Sequence, residues 1–339
     1  MRKLSTIIFF VFLWSYNGFA ENINVKKKIK FPKDIVQGYK NDMGSLWGLS
    51  CTYSNDNKCM TPNYAYKIVN KDKDYPVRLG KKSVRMELRK GDCHQKRKGS
   101  YNDCKASPPA ERHEFSLEWD KFTGINGKTW HTYSIFLPSD TTVINSSWIT
   151  MGQFHNVDYD KPPVNFDLKN KYFELVTRFH CIHPSKFKKS CNSNDNPKAI
   201  KKIINSEKLF GQWNDFIVNA NWTSNIKKGF FKLWVNGKLV YHFVGRTVVP
   251  KDQITVQFGI YRGAARSSDE ANHVVYYDEI RKAKSCKKLK LEKFGYLCKD
   301  LENQKMEKIY KGCLRCNAAT MAKVVLPVPG IPVILGDNG

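Results

Sequence analysis

Gln153 and His155 stand two residues apart in the run Trp148-Ile149-Thr150-Met151-Gly152-Gln153-Phe154-His155, which reads as a strand. Side chains at i and i+2 of a strand share a face, so an amide and an imidazole stand side by side. The amide can hydrogen-bond a carboxylate, and a neutral imidazole takes up a proton near neutral pH, a pairing suited to an acidic sugar. The same spacing puts Arg112 beside Glu114 in Glu111–Leu117, and Arg85 beside Glu87 and Arg89 in Ser83–Arg89. A guanidinium offers a forked, permanently charged pair of donors that a nearby carboxylate orients. The plainer reading of each Arg-Glu pair is a cross-strand charge ladder that stabilises a sheet.

The elements that must carry these residues are strands. Trp130–Leu137 alternates aromatic and polar residues and stops at Pro138. Phe173–Phe179, Trp213–Trp222, Gly229–Val235, Lys238–Phe243, Ile254–Tyr261 and His273–Arg281 follow, with Asn236-Gly237 as a strong hairpin signal. Many strands with little helix before residue 285 imply an all-β sandwich of two antiparallel sheets, not a parallel αβ fold. A cationic insertion running through Cys181, Cys191 and Lys202 is placed either to fold over a cleft or to loop passively from the surface. There is no internal repeat, P-loop or dinucleotide fingerprint. From Lys287 to Lys311 the chain is charged with helical character, and Val324–Leu335 is apolar but broken by three prolines, against a membrane helix.

Met1-Arg2-Lys3, the apolar run Ile7–Trp14 and Gly18-Phe19-Ala20 describe a leader, residues 1–20, with export to the periplasm or outside the cell as the expectation. The expected divisions after it are a sandwich domain over 21–285 and a cysteine-containing extension over 286–339. Ten cysteines in an exported chain suggest disulfides, and their spacing favours Cys51–Cys59, Cys93–Cys104, Cys181–Cys191, Cys286–Cys298 and Cys313–Cys316. Fifty-seven basic against thirty-one acidic residues give a net charge of +26. Such a field attracts polyanions, and export favours an acidic polysaccharide over nucleic acid. His180 and His183 flank Cys181 without the fuller ligand set of a metal site, and His94 and His113 have no evident partner. Trp130, Trp213, Trp222 and Trp234 suit a sandwich core better than a sugar platform.

Four motifs in order, RxEL (Arg85–Leu88), RHEF (Arg112–Phe115), QFH (Gln153–His155) and FGIYR (Phe258–Arg262), resemble the heparin lyase I type of polysaccharide lyase. They are also similar to those of glucuronan and alginate lyases, and the resemblance covers roughly residues 35 to 282. It implies a concanavalin-like β-jelly-roll and β-elimination on a uronic-acid polymer, whether glucuronan, alginate or a heparin-like chain. By the same resemblance Arg112 and Gln153 neutralise the uronate carboxylate and His155 removes the C5 proton. Tyr261 protonates the leaving oxygen or serves as base for the opposite C5 configuration. Arg85, Arg262 and Arg178 are then expected to bind substrate. No cofactor is required; calcium is compatible with the resemblance, though no acidic loop demands it. A monomer without integral membrane association is expected. The rival readings are a glycoside hydrolase on the same sandwich, which needs two carboxylates across the cleft, and a lectin-like carbohydrate-binding module.

Overall fold

A computed structural model describes residues 31–39, 61–94, 102–118, 124–141, 148–158, 162–169, 172–179, 199–263 and 272–311, with short strand fragments before residue 61. The leader, the insertion between 180 and 198 and the tail after 311 lie outside the described residues.

Among the described residues, thirteen strands of five or more residues form the two main sheets. In chain order they are β1 (Tyr66–Asn70), β2 (Lys82–Leu88), β3 (Ala110–Leu117), β4 (Gly127–Phe136), β5 (Ile149–Asn156), β6 (Val164–Lys169) and β7 (Tyr172–Thr177). Then come β8 (Ala199–Asn205), β9 (Trp213–Trp222), β10 (Phe230–Val235), β11 (Lys238–Val244), β12 (Ile254–Gly263) and β13 (His273–Ala283). The front sheet runs β8-β7-β6-β5-β12-β3, and the back sheet runs β11-β10-β9-β4-β13-β2-β1. These strands pair antiparallel, while Val36–Gln37 and Tyr310–Lys311 join the back sheet in parallel.

Period-two alternation explains which face is buried. Ile254, Val256, Phe258 and Ile260 of β12 meet Val84, Met86 and Leu88 of β2 in the core, along with Phe154, Phe166, Phe216, Trp222 and Phe231. The all-β sandwich of two antiparallel sheets expected from the pattern is therefore the fold. Its β10–β11 hairpin turns on Asn236 and Gly237, with φ of 49° and 78°, as a turn with two left-handed central residues requires. A side chain at Gly237 would also meet the Tyr296 ring at 2.8 Å.

Three strands escape the alternation argument: β1, β6 and β8. The last ends the cationic insertion as an edge strand on β7. Among the described residues of the extension, helix is limited to Cys298–Asn303 and short 3-10 turns. That extension covers the outer face of the back sheet, where Cys286, Leu289, Leu291, Phe294 and Leu301 bury Trp130, Ile217, Trp234 and Leu239 in a second core. Trp234 Nε1 donates to Leu301 O at 3.1 Å, and Gln304 bonds Leu239 N and Gly237 O at 2.7 and 2.8 Å. Disulfides join Cys93 to Cys104 and Cys286 to Cys298. The other three expected pairings involve residues outside the described set. Among the described residues no helix is long and apolar enough to cross a membrane.

Candidate active site

Strands β3, β12 and β5 are neighbours, and their registers decide which side chains meet. Tyr261 lies opposite Arg112 on one side and Thr150 on the other; Gly259 lies opposite Glu114, and Gln257 opposite Gln153. Pairing shifts register between Thr150 and Gly152 on both sides of β5, with Met151 the extra residue against β6 and β12 carrying the extra residue against β5, so the sheet bulges here. The bulge is held from behind by Tyr277 of β13, whose hydroxyl lies 2.6 Å from Met151 O and 2.7 Å from Gly259 O. Gly259 has φ 137°, and a Cβ there would stand 2.2 Å from His113 O, so only glycine fits two residues before Tyr261.

On the outward face of the front sheet the polar side chains form one connected patch. The Arg112 guanidinium stacks on the Tyr261 ring at 3.9 Å, and Trp148 meets that ring in an edge-type contact at 5.9 Å between centroids. Arg112 Nη1 stands 3.6 Å from Glu114. Gln153 Nε2 donates to Glu114 at 2.8 Å and to Gln257 Oε1 at 2.6 Å. His155 follows Gln153 on the same face, half-exposed, with Nδ1 2.6 Å from Asn156 O. A backbone carbonyl only accepts, so Nδ1 carries the proton, and in the neutral ring Nε2 is left with its lone pair. Arg178, at the end of β7, reaches the patch through Asn165, which lies opposite Gln153 and accepts from Nη1 at 3.1 Å.

The charge balance differs from a bare guanidinium awaiting an anion. Arg112 Nε and Nη2 are gripped by both oxygens of buried Asp103, at 2.5 and 3.0 Å. Glu114 is a second carboxylate beside the same cation. Burial pushes Glu114 up to about 7, against the pull of Arg112 and the Gln153 hydrogen bond. Burial disfavours the charged form of Arg112, yet Glu114 and Asp103 more than offset this and raise it above its usual value. The side of Arg112 that remains for a substrate is therefore Nη1, shared with a glutamate that is half protonated near neutrality.

Two of the expected substrate-binding arginines do not join the patch. Arg85 sits on β2 of the back sheet, on the face opposite the core-facing Val84 and Met86, bonded to Glu87 at 2.7 Å. Glu87 does orient it, but the sandwich separates it from Tyr261. Arg262 is fully buried, with Nε on Glu111 at 2.8 Å and Nη1 against His273 Nδ1 at 3.0 Å. Its neighbour Tyr261 faces out, so strand alternation turns Arg262 in. His113, which seemed unpaired in the sequence, bonds Asp92 at 3.0 Å, and Asp92 also accepts from Tyr64 at 2.8 Å.

The residues missed at the outset are Asp103 and Gln257. Gln257 lies four residues before Tyr261, so period two already places it on the same face. Asp103 has no such signal, for it sits in a 3-10 turn that the Cys93–Cys104 bridge ties down beside β3. Among the described residues, no group of three or more His, Cys, Asp or Glu side chains gathers as a metal ion would need.

A family profile described as Polysaccharide lyase matches residues 62–281, well over half of the chain. The fold is also similar to crystal structures of an endo-β-1,4-glucuronan lyase from Trichoderma reesei and an alginate lyase from Pseudomonas aeruginosa. Each is 12% identical over 71% of this chain, covering 96% and 98% of the other, with TM-scores of 0.43 and 0.41. No curated protein matches the chain.

Proposed function

Because the chain belongs to the polysaccharide lyase family, we propose that the front-sheet patch cleaves a uronic-acid-containing polysaccharide by β-elimination. The observation that carries this reading is the unbroken run of contacts from Tyr261 through Arg112 and Glu114 to Gln153, with His155 beside it. The C5 proton of a uronate is only weakly acidic because a carboxylate anion adjoins it. Arg112 Nη1 neutralises that carboxylate and, with the Gln153 and Gln257 amides, stabilises the charge that grows on it as the proton leaves. Glu114 takes part in its protonated form, which leaves Nη1 to the substrate.

His155 Nε2 accepts the C5 proton, the C5–H electron pair becomes the C4–C5 double bond, and the C4–O4 bond breaks. Tyr261 donates its phenolic proton to the departing oxygen. His155 and Tyr261 are five β5 positions apart by register, roughly 16 Å along a strand at ~3.3 Å per residue. They meet at one sugar only by leaning inward over Gln153. For a substrate of the opposite C5 configuration Tyr261, stacked beside the carboxylate-binding Arg112, serves as the base. A positioned acid or base contributes about 10² to 10⁴-fold, so neutralisation by Arg112 supplies much of the remainder.

The described start of the extension, residues 286–311, braces the back of the catalytic sandwich. Export fits the leader-like start and the two disulfides, which persist in oxidising surroundings. Cleavage in water enriched in heavy oxygen tests the reaction class. Elimination places no solvent oxygen in either product, whereas hydrolysis labels the new reducing end; labelled product would refute the proposal.

A further inference from the structure

A groove of about 380 Å³ lies on the back of the sandwich, away from the front-sheet patch. Two rows of side chains cross the back sheet there. Trp130, Asn219, Lys232 and His242 lie opposite one another on β4, β9, β10 and β11. Lys128, Asn221, Phe230 and Val244 form the next row on the same strands, two residues away and so on the same face. At ~4.8 Å between strands each row spans roughly 14 Å. Lys227 and Lys228, in the turn before β10, also line the groove, and Glu302 is the sole acid in the lining.

Four lysines on one face repel one another, and a bound anion relieves that repulsion. The ion pairs among the described residues engage Lys169 and Lys282 but none of these four. Exposed Val244 and half-buried Phe230 supply an apolar strip beside the charges. Asn219, whose Nδ2 donates to Thr129 O at 3.0 Å, adds an amide to the lining. Burial and nearby Lys232 pull His242 down to about 4, so at neutral pH its ring is uncharged and offers one donor and one acceptor. Cation, amide and apolar contact in alternation match a sugar chain that carries carboxylates, hydroxyls and ring C–H faces. They do not match single-stranded nucleic acid, which needs open aromatic faces. Here Trp130 and Trp234 are buried and stacked on each other at 5.5 Å.

From this surface we infer that the back sheet holds a strand of acidic polysaccharide without cutting it, anchoring the enzyme to polymer on the face opposite the cleft. The inference rests on the proposed lyase reading for its choice of polymer. Affinity electrophoresis through gels containing alginate or polyglucuronate tests it, comparing Arg112→Ala, whose cleft has lost its guanidinium, with Arg112→Ala/Lys128→Glu/Lys232→Glu. The lysine reversals should weaken retardation by about tenfold or more at low salt. With Arg112 intact, the same reversals should leave kcat/KM on a uronate tetrasaccharide, too short to span both faces, at the wild-type value, which also certifies folding. The milder pair Lys227→Gln/Lys228→Gln should shift retardation in the same direction.

Unchanged retardation in both sets overturns the inference. Equal retardation in gels of single-stranded DNA, lost on the same substitutions, also overturns it, by marking a general anion surface. Retardation is read without turnover, so a failure to find unsaturated product would defeat the lyase reading and leave this result standing.

Discussion

Glu114→Gln isolates the competition for Arg112. At pH 8 a carboxyl held at about 7 is roughly nine-tenths ionised, and ionised Glu114 competes for the guanidinium edge that the substrate carboxylate needs. If only the protonated form admits substrate, apparent Kd scales inversely with its population, so binding weakens about tenfold between pH 6 and pH 8. Glutamine has the same shape, still accepts from Gln153 and never ionises. Its Kd should stay flat over that window and lie about tenfold below wild type at pH 8. Calorimetric titration of a uronate tetrasaccharide into Tyr261→Phe protein, with and without Glu114→Gln, measures this directly. Parallel pH profiles for the two proteins would refute the argument. Stability gives a second readout of the same group. A carboxyl whose folded value is raised leaves the fold binding more protons between the unfolded value and about 7, so stability falls as pH rises through that window and is level above it. The drop attributable to Glu114 is on the order of 3 kcal/mol and should vanish in Glu114→Gln.

Arg262→Leu leaves Glu111 buried without its cation and should cost about 3–5 kcal/mol in urea unfolding, with kcat/KM per folded molecule unchanged. Loss of turnover at unchanged stability would instead return Arg262 to the cleft. Tyr277→Phe removes the hydroxyl that the Met151 and Gly259 carbonyls share, at about 1–3 kcal/mol. Because those carbonyls flank the bulge that aims Tyr261, kcat should fall while polymer binding holds; a variant with wild-type kcat would deny the bulge a positioning role.

Most of the front-sheet patch was legible because period two is enough to put Gln153 with His155 and Arg112 with Glu114, and adjacent strands then bring the pairs together. The same rule could have excluded Arg262, since its neighbour Tyr261 claims the outward face. Arg85 was not separable in this way. It repeats the Arg-x-Glu pattern of Arg112, and which sheet a strand joins depends on pairings with residues far along the chain. Strand β2 pairs with β1 and β13, whereas β3 pairs with β12. Asp103 was invisible for a different reason: a 3-10 turn has no burial period, and its approach to Arg112 follows from loop closure at Cys93–Cys104. The raised Glu114 follows from burial, which sequence pattern ranks only coarsely.

The most direct test exposes glucuronan, alginate and heparin-like chains to wild-type protein, His155→Ala and Tyr261→Phe while following ultraviolet absorbance. Elimination creates a conjugated 4,5-unsaturated uronate, so absorbance should climb for at least one polymer with wild-type protein. It should fall by about 10² or more in each variant. Scission of a uronide without any rise in absorbance, or a Tyr261→Phe protein as fast as wild type, would contradict the account.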